Sequence, residues 1–222
     1  MPPYLLYQFP GSCSRVALNA LEEIGLPYQD KGVSLTRGEH RQPDYLAMNF
    51  KGKVPTLLED GRLITELPVM LYRLSHVFPD AGLLPGSGND ERALTGLSDL
   101  IWMAGTLHPF ATQMFRPFVV SEIDTQGVKS RAIAGLAEHA RTISARLTDQ
   151  DWWYGEQWSI ADVFLAWIFG IGGQCNFPIS DFPALVAHRQ RVEARPSYGR
   201  ALARERAAVT RDDLLLVPGI SV

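Results

Sequence analysis

Gly52-Lys53-Val54-Pro55-Thr56-Leu57-Leu58-Glu59-Asp60-Gly61-Arg62-Leu63-Ile64-Thr65-Glu66-Leu67-Pro68 contains two extended runs folded about a two-residue turn. Both central residues of a type I′ hairpin turn need positive φ, and Asp60-Gly61 is a dipeptide that tolerates this. Val54 to Glu59 and Arg62 to Thr65 are therefore predicted to be antiparallel partners. Pro68 stands where a helix through Leu71, Tyr72, Leu74 and Ser75 begins, a position at which its missing N–H costs nothing. A ββα unit follows from this stretch alone.

Upstream, Tyr4 to Phe9 reads as a strand closed by Pro10-Gly11. Val16, Ala17, Ala20, Leu21 and Ile24 then recur at helical spacing from Ser14, and Gly25 with Pro27 supplies the stop. A second extended piece runs from Tyr28 to Leu35, followed by a polar loop and a short helix near Asp44 to Met48. The first domain is thus βαβ followed by ββα. Downstream, Pro79 to Asn89, with Gly82, Pro85, Gly86 and Gly88, reads as an interdomain linker. Beyond it only helical patterns recur, over Leu94 to Phe118, Val128 to Leu147, Ile160 to Ile171, Pro183 to Ala194 and Tyr198 to Ala208. The expected organisation is an α+β chain: a βαβ-ββα domain over 1–79, a linker over 80–90 and an all-helical domain over 91–222.

Ser159 and Asp162 have the spacing of a capping box at the start of one of these helices, whose residues are apolar on nearly every side. That pattern predicts the buried centre of the helical domain and carries no chemistry.

Composition narrows the function. With 222 residues, 46% of them hydrophobic, the chain suits a globular protein with one large core or two small ones. A formal net charge of −3 with interleaved signs offers no basic stripe for nucleic acid. Cys13 and Cys175 lie far apart and form neither a metal-ligand spacing nor a disulfide framework, so both read as free thiols of a reducing compartment. The first residues lack a basic signal-peptide region, and the longest apolar stretch, Val163 to Ile171, is too short to span a bilayer. A cytoplasmic location is the expectation, with neither membrane nor metal.

Five segments in order resemble the soluble glutathione transferase family, in particular its serine- and cysteine-type classes (theta, delta, zeta and beta). They are Pro10-Gly11-Ser12-Cys13-Ser14-Arg15-Val16, Gly52 to Leu57, Asp60-Gly61 with Ile64-Thr65-Glu66, Ser159-Ile160-Ala161-Asp162, and Phe182-Pro183-Ala184-Leu185 leading to Arg191 to Pro196. The last 14 or so residues match no pattern of the family. The resemblance implies a thioredoxin-like fold for the domain over 1–79 and a homodimeric detoxifying enzyme with glutathione as co-substrate, a small hydrophobic electrophile as second substrate, and a cis peptide bond at Val54-Pro55.

The chemistry such an enzyme needs is a thiolate at neutral pH. A free thiol titrates near pH ~8.5, and lowering that by two units takes about 2.7 kcal/mol of preferential anion stabilisation, within reach of a hydroxyl donor at the positive end of a helix. Ser12 and Cys13 both occupy positions that members of the family use. A serine donor favours conjugation, whereas a cysteine favours thiol–disulfide exchange through a mixed disulfide. Ser12 is taken as the donor, Cys13 as the alternative that would make the chain a glutathione-dependent reductase or lyase, and Ser14 as the helix cap. By the same resemblance the backbone of Val54, beside Pro55, pairs with the cysteinyl part of glutathione, Glu66 takes the γ-glutamyl ammonium, and His40 and Lys53 reach the glycine carboxylate. Leu67 departs from the family's Ser or Thr, removing a side-chain hydrogen bond of about 0.5–1.5 kcal/mol and leaving its backbone N–H. This absence also opens the reading of a non-catalytic binding protein. Trp102, Thr106, His108, Phe110, Phe115 and Arg116 fall where the family builds its electrophile pocket, and equally where a bundle core would need them.

Overall fold

A computed structural model describes residues 3–86 and 90–222. Part of the expected linker, Ser87-Gly88-Asn89, lies outside the described residues. The chain divides into two units, one comprising residues up to Leu83 together with Arg195–Val222, the other Leu84–Ala194.

The first unit is built on a four-stranded sheet of order β2-β1-β3-β4, with β1 at Tyr4–Gln8, β2 at Tyr28–Gly32, β3 at Thr56–Glu59 and β4 at Arg62–Ile64. Helix α1, Ser14–Ile24, makes the crossover that lets β1 and β2 run parallel, with Tyr4 opposite Tyr28. β3 is antiparallel to both β1 and β4, placing Tyr4 opposite Glu59 and Leu57 opposite Ile64. Asp60 and Gly61 have φ of 47° and 81°, as a type I′ turn requires. β3 begins at Thr56, two residues later than the sequence suggested, because Pro55 has no N–H for the ladder. Helix α2, Pro43–Met48, and helix α3, Leu67–Val77, complete the βαβ-ββα order.

The second unit is helical: α4 at Glu91–Trp102, α5 at His108–Phe115, α6 at Thr125–Thr148, α7 at Ile160–Gln174 and α8 at Pro183–Glu193. α7 is its centre, with Ile160 through Gly172 all buried. The capping box forms, and Asp162 does more than cap. Its carboxylate accepts from the backbone N–H groups of Ser159 at 2.8 Å and Trp153 at 2.7 Å, and bonds His188 of α8 at 2.8 Å.

The expected single helix over Leu94 to Phe118 is instead α4 and α5 joined by a π-helical turn at Met103–Leu107. Pro109 supplies the reason: it can neither donate to the turn before it nor avoid crowding the carbonyl there, and an inserted residue relieves both.

The assignment of residues 91–222 to one domain is corrected at its end. Helix α9, Pro196–Arg211, and the tail after it pack with the first unit. Complementary charges line this contact. Glu22 of α1 meets Arg200 at 2.9 Å and Arg204 at 2.7 Å, Asp30 of β2 meets Arg204 and Arg211, and Glu23 pairs with Arg195. Tyr28 adds a hydroxyl to Glu22 at 2.7 Å and lies under the Arg204 guanidinium.

Candidate active site

Two loops of the first unit meet at the sequence-predicted residues. One runs from Phe9 into α1; the other precedes β3. The Cys13 sulfur lies 3.9 Å from the Val54 carbonyl oxygen, and the Val54–Pro55 bond is cis.

Within the first loop the three candidates have different environments. Ser12 is half-buried, whereas Cys13 and Ser14 are buried. Ser12 Oγ accepts from the Ser14 N–H at 3.2 Å, and its proton faces the Phe9 carbonyl at 2.7 Å or Ser14 Oγ at 2.9 Å. The expectation that Ser14 caps α1 is therefore corrected. Ser14 is already the first helical residue, its hydroxyl turns back to the Phe9 N–H, and Ser12 supplies the bond at the helix start. Burial pushes the Cys13 thiol up to about 12, against the milder pull of its own backbone N–H and the Lys53 charge. A thiol so placed stays protonated at neutral pH and is a poor nucleophile.

The loop is held from beneath by groups the sequence reading missed. Glu205 of α9, fully buried, accepts from the Gly11 N–H at 3.2 Å and from Arg15 Nη2 at 2.6 Å. Gly11 has φ of +79°, and a Cβ there would sit 2.7 Å from Ile220 of the tail. Glycine is needed at that position for both conformation and space. The tail is anchored further back, where Asp212 accepts from the Gly32 N–H at 2.7 Å and Thr36 donates to the Leu215 carbonyl. No local pattern marks Glu205, since a carboxylate on a surface-like helix reads as solvated until its partner is known.

The second loop is braced by α2. Tyr45 donates its hydroxyl proton to the Lys53 carbonyl at 2.7 Å, and Asn49 bonds both that carbonyl at 3.0 Å and Thr56 Oγ1 at 2.8 Å. Lys53 is exposed; His40, on a short 3-10 turn at Glu39–Arg41, comes close through its backbone, for a Cβ at Gly52 would meet its carbonyl oxygen at 2.9 Å.

Glu66 precedes α3 with φ of 66° and ψ of 118°, a conformation that costs a non-glycine residue about 1–3 kcal/mol and concentrates at ligand sites. Its side chain leaves the helix end uncapped and is exposed, bonded to Lys51 Nζ at 2.8 Å. The Leu67 side chain is buried beneath. Of the expected residues, Cys13 and Val54 are thus brought into contact, and the charges of Lys53 and Glu66 act on Cys13 with opposite sign.

The six residues expected at an electrophile pocket all belong to the helical unit. Trp102 stacks on Trp153 at 5.9 Å between ring centroids and meets His139 edge-on. Phe110 lies against His139 and over Gly135, and His108 is edge-on to Trp167 at 4.8 Å. These three serve packing between helices. Thr106, in the π turn, and Phe115 are half-buried, and the Arg116 guanidinium lies 5.5 Å from the Phe118 ring centre. Among the described residues no cluster of side chains has the makings of a metal site, and no helix is long and apolar enough to cross a membrane.

A thioredoxin-like unit that presents a cis-proline loop opposite the start of its first helix, followed in the chain by a helical bundle, is the architecture of glutathione-using enzymes. The family models for the glutathione S-transferase N-terminal and C-terminal domains match residues 2–69 and 107–196. Glutathione S-transferase GstA of Escherichia coli O157:H7 is 30% identical over 202 residues, covering 90% of this chain and 98% of its own. Maleylacetoacetate isomerase of Pseudomonas aeruginosa is 29% identical over 205 residues, covering 88% and 94%. Among solved structures, a glutathione transferase homologue from Sulfitobacter with bound glutathione superposes with a TM-score of 0.80 at 28% identity, over 97% of this chain and 100% of that one. The chain belongs to the glutathione S-transferase family.

Proposed function

We propose that this glutathione transferase activates its thiol substrate through Ser12 and that Cys13 is a structural thiol. The observation that carries this reading is the contrast within Ser12-Cys13-Ser14: Ser12 alone is accessible, and Cys13 is buried with its thiol held protonated. Rotation of the Ser12 hydroxyl away from Phe9 would direct its proton to the glutathione sulfur, while the start of α1 contributes the positive end of the helix dipole. The thiolate then attacks a small hydrophobic electrophile. Val54 serves the cysteinyl backbone, Glu66 the γ-glutamyl ammonium, and His40 and Lys53 the glycine carboxylate. Thr106, Phe115 and Arg116 are the most available members of the electrophile-facing set, because the other three are committed to packing.

We further infer a homodimer in the cytoplasm. Phe50, 82% exposed, together with Val69, 52% exposed, offers apolar surface on the first unit that a second copy would bury. Retention on immobilised glutathione together with turnover of a generic aryl halide tests the reading. Retention without turnover by wild-type protein would reduce the chain to a binding protein.

A further inference from the structure

We propose that Lys51 binds the α-carboxylate of the γ-glutamyl end of glutathione, taking over from the hydroxyl that Leu67 lacks. The inference rests on the placement of the γ-glutamyl ammonium at Glu66. Lys51 Nζ lies 2.8 Å from Glu66 Oε1 and 3.1 Å from Thr65 Oγ1, at the start of α3. Thr65 and Glu66 are the two residues before Leu67, so the Lys51 ammonium stands beside the segment that leads into α3, where the Leu67 backbone N–H begins the helix.

A Lys–Glu pair is the complement of an amino-acid zwitterion. The ammonium and carboxylate of the γ-glutamyl head are two bonds apart, so with Nζ and Oε1 they close a ring in which every neighbour carries opposite charge. The pair is open to such insertion. The two side chains are 35% and 56% exposed, and an exposed pair of this kind is held only weakly by its own attraction. The flexible lysine stem allows Nζ to shift toward the incoming carboxylate while Glu66 turns to the ammonium. Other basic side chains nearby are placed differently. Lys53 and His40 stand toward the opposite carboxylate in the proposed site, and Arg41 lies against Gly52, where a Cβ would come within 3.1 Å of Nη1. Among the described residues, Lys51 is the cation that contacts Glu66 directly.

The arrangement makes the α-carboxylate a specificity determinant, read by charge where the family reads it by a hydroxyl. The test pairs Lys51→Met and Lys51→Arg with two ligands: glutathione, and its analogue in which 4-aminobutyrate replaces the γ-glutamyl residue, which lacks only that carboxylate. Lys51→Met is expected to weaken glutathione about tenfold, seen in KM with kcat nearly unchanged, and to leave the analogue's affinity where wild type has it. Lys51→Arg should remain within about threefold of wild type, because the charge persists. Equal weakening of both ligands by Lys51→Met, or none for glutathione, would overturn the assignment. If wild-type protein binds neither ligand, the reading of the whole site falls with it; if it binds glutathione and Glu66→Gln does not weaken it, the ammonium's placement fails and this assignment with it.

Discussion

Replacing Glu205 by alanine would disturb the loop that carries Ser12 from a distance. Its carboxylate is fully buried and accepts from Arg15 Nε at 2.9 Å, Arg15 Nη2 at 2.6 Å and the Gly11 N–H at 3.2 Å. Alanine leaves the Arg15 guanidinium, on a side chain only 8% exposed, without its counter-charge. Arginine does not escape by losing its proton, so the cost falls on the fold. Tyr198 remains beside it as a hydrogen-bonding neighbour. Breaking a buried pair from one side costs about 3–5 kcal/mol, and the Gly11 N–H loses this acceptor as well. Glu205→Gln keeps the shape and an acceptor, so it should cost less, about 1–3 kcal/mol. Urea unfolding followed by far-UV circular dichroism reads these differences. Glu193→Ala, which removes an exposed partner of Arg189, serves as the control at about 0.3–0.5 kcal/mol. The double variant Arg15→Met with Glu205→Leu should recover most of the loss, since a matched apolar pair leaves no buried charge. A Glu205→Ala protein within about 1 kcal/mol of wild type would refute the claim that this pair anchors the loop.

Other outcomes follow from the same contacts. Cys13 should resist alkylation by iodoacetamide at neutral pH in the folded protein, with half-buried Cys175 reacting first; rapid modification of Cys13, mapped by mass spectrometry, would contradict its buried, protonated state. Acid should loosen α9 from the first unit. Although burial alone would raise it, the Glu22 carboxyl is held below its ordinary value by Tyr28, Arg200 and Arg204. Its folded-state value is thus depressed, so its contribution is fully present above the unfolded value of about 4.3 and is lost as pH falls through the lower folded value. Glu22→Gln should flatten stability against pH in that acid range, and an unchanged slope would show that the cluster contributes nothing.

Much of the fold was legible where its signals are local. Asp60-Gly61 dictates a turn, Pro68 a helix start, and the Ser159/Asp162 spacing a capping box, each within four residues. What escaped was decided over long range. The buried stripe of α9 includes Glu205, which a sequence pattern scores as solvent-facing; only Arg15, 190 residues earlier, makes its burial affordable, and so the helix joins the first core. The π turn before Pro109 was masked by uninterrupted helical periodicity. Ser12 and Ser14 compete for one helix end through hydroxyl directions that the string Ser-Cys-Ser does not encode. Lys51 was passed over for Lys53 because only the fold brings its ammonium to Glu66.

The central claim, that Ser12 rather than Cys13 sets the reactivity of glutathione, is tested by pH–rate profiles of conjugation for Ser12→Ala and Cys13→Ala. Ser12→Ala should move the kinetic pKa of bound glutathione up toward its free value, lowering the neutral rate about ten- to hundredfold for a shift of one to two units and less in alkali, with glutathione KM nearly unchanged. Cys13→Ala should leave the profile in place. A profile that shifts for Cys13→Ala and stays put for Ser12→Ala would contradict the account and transfer the chemistry to the cysteine.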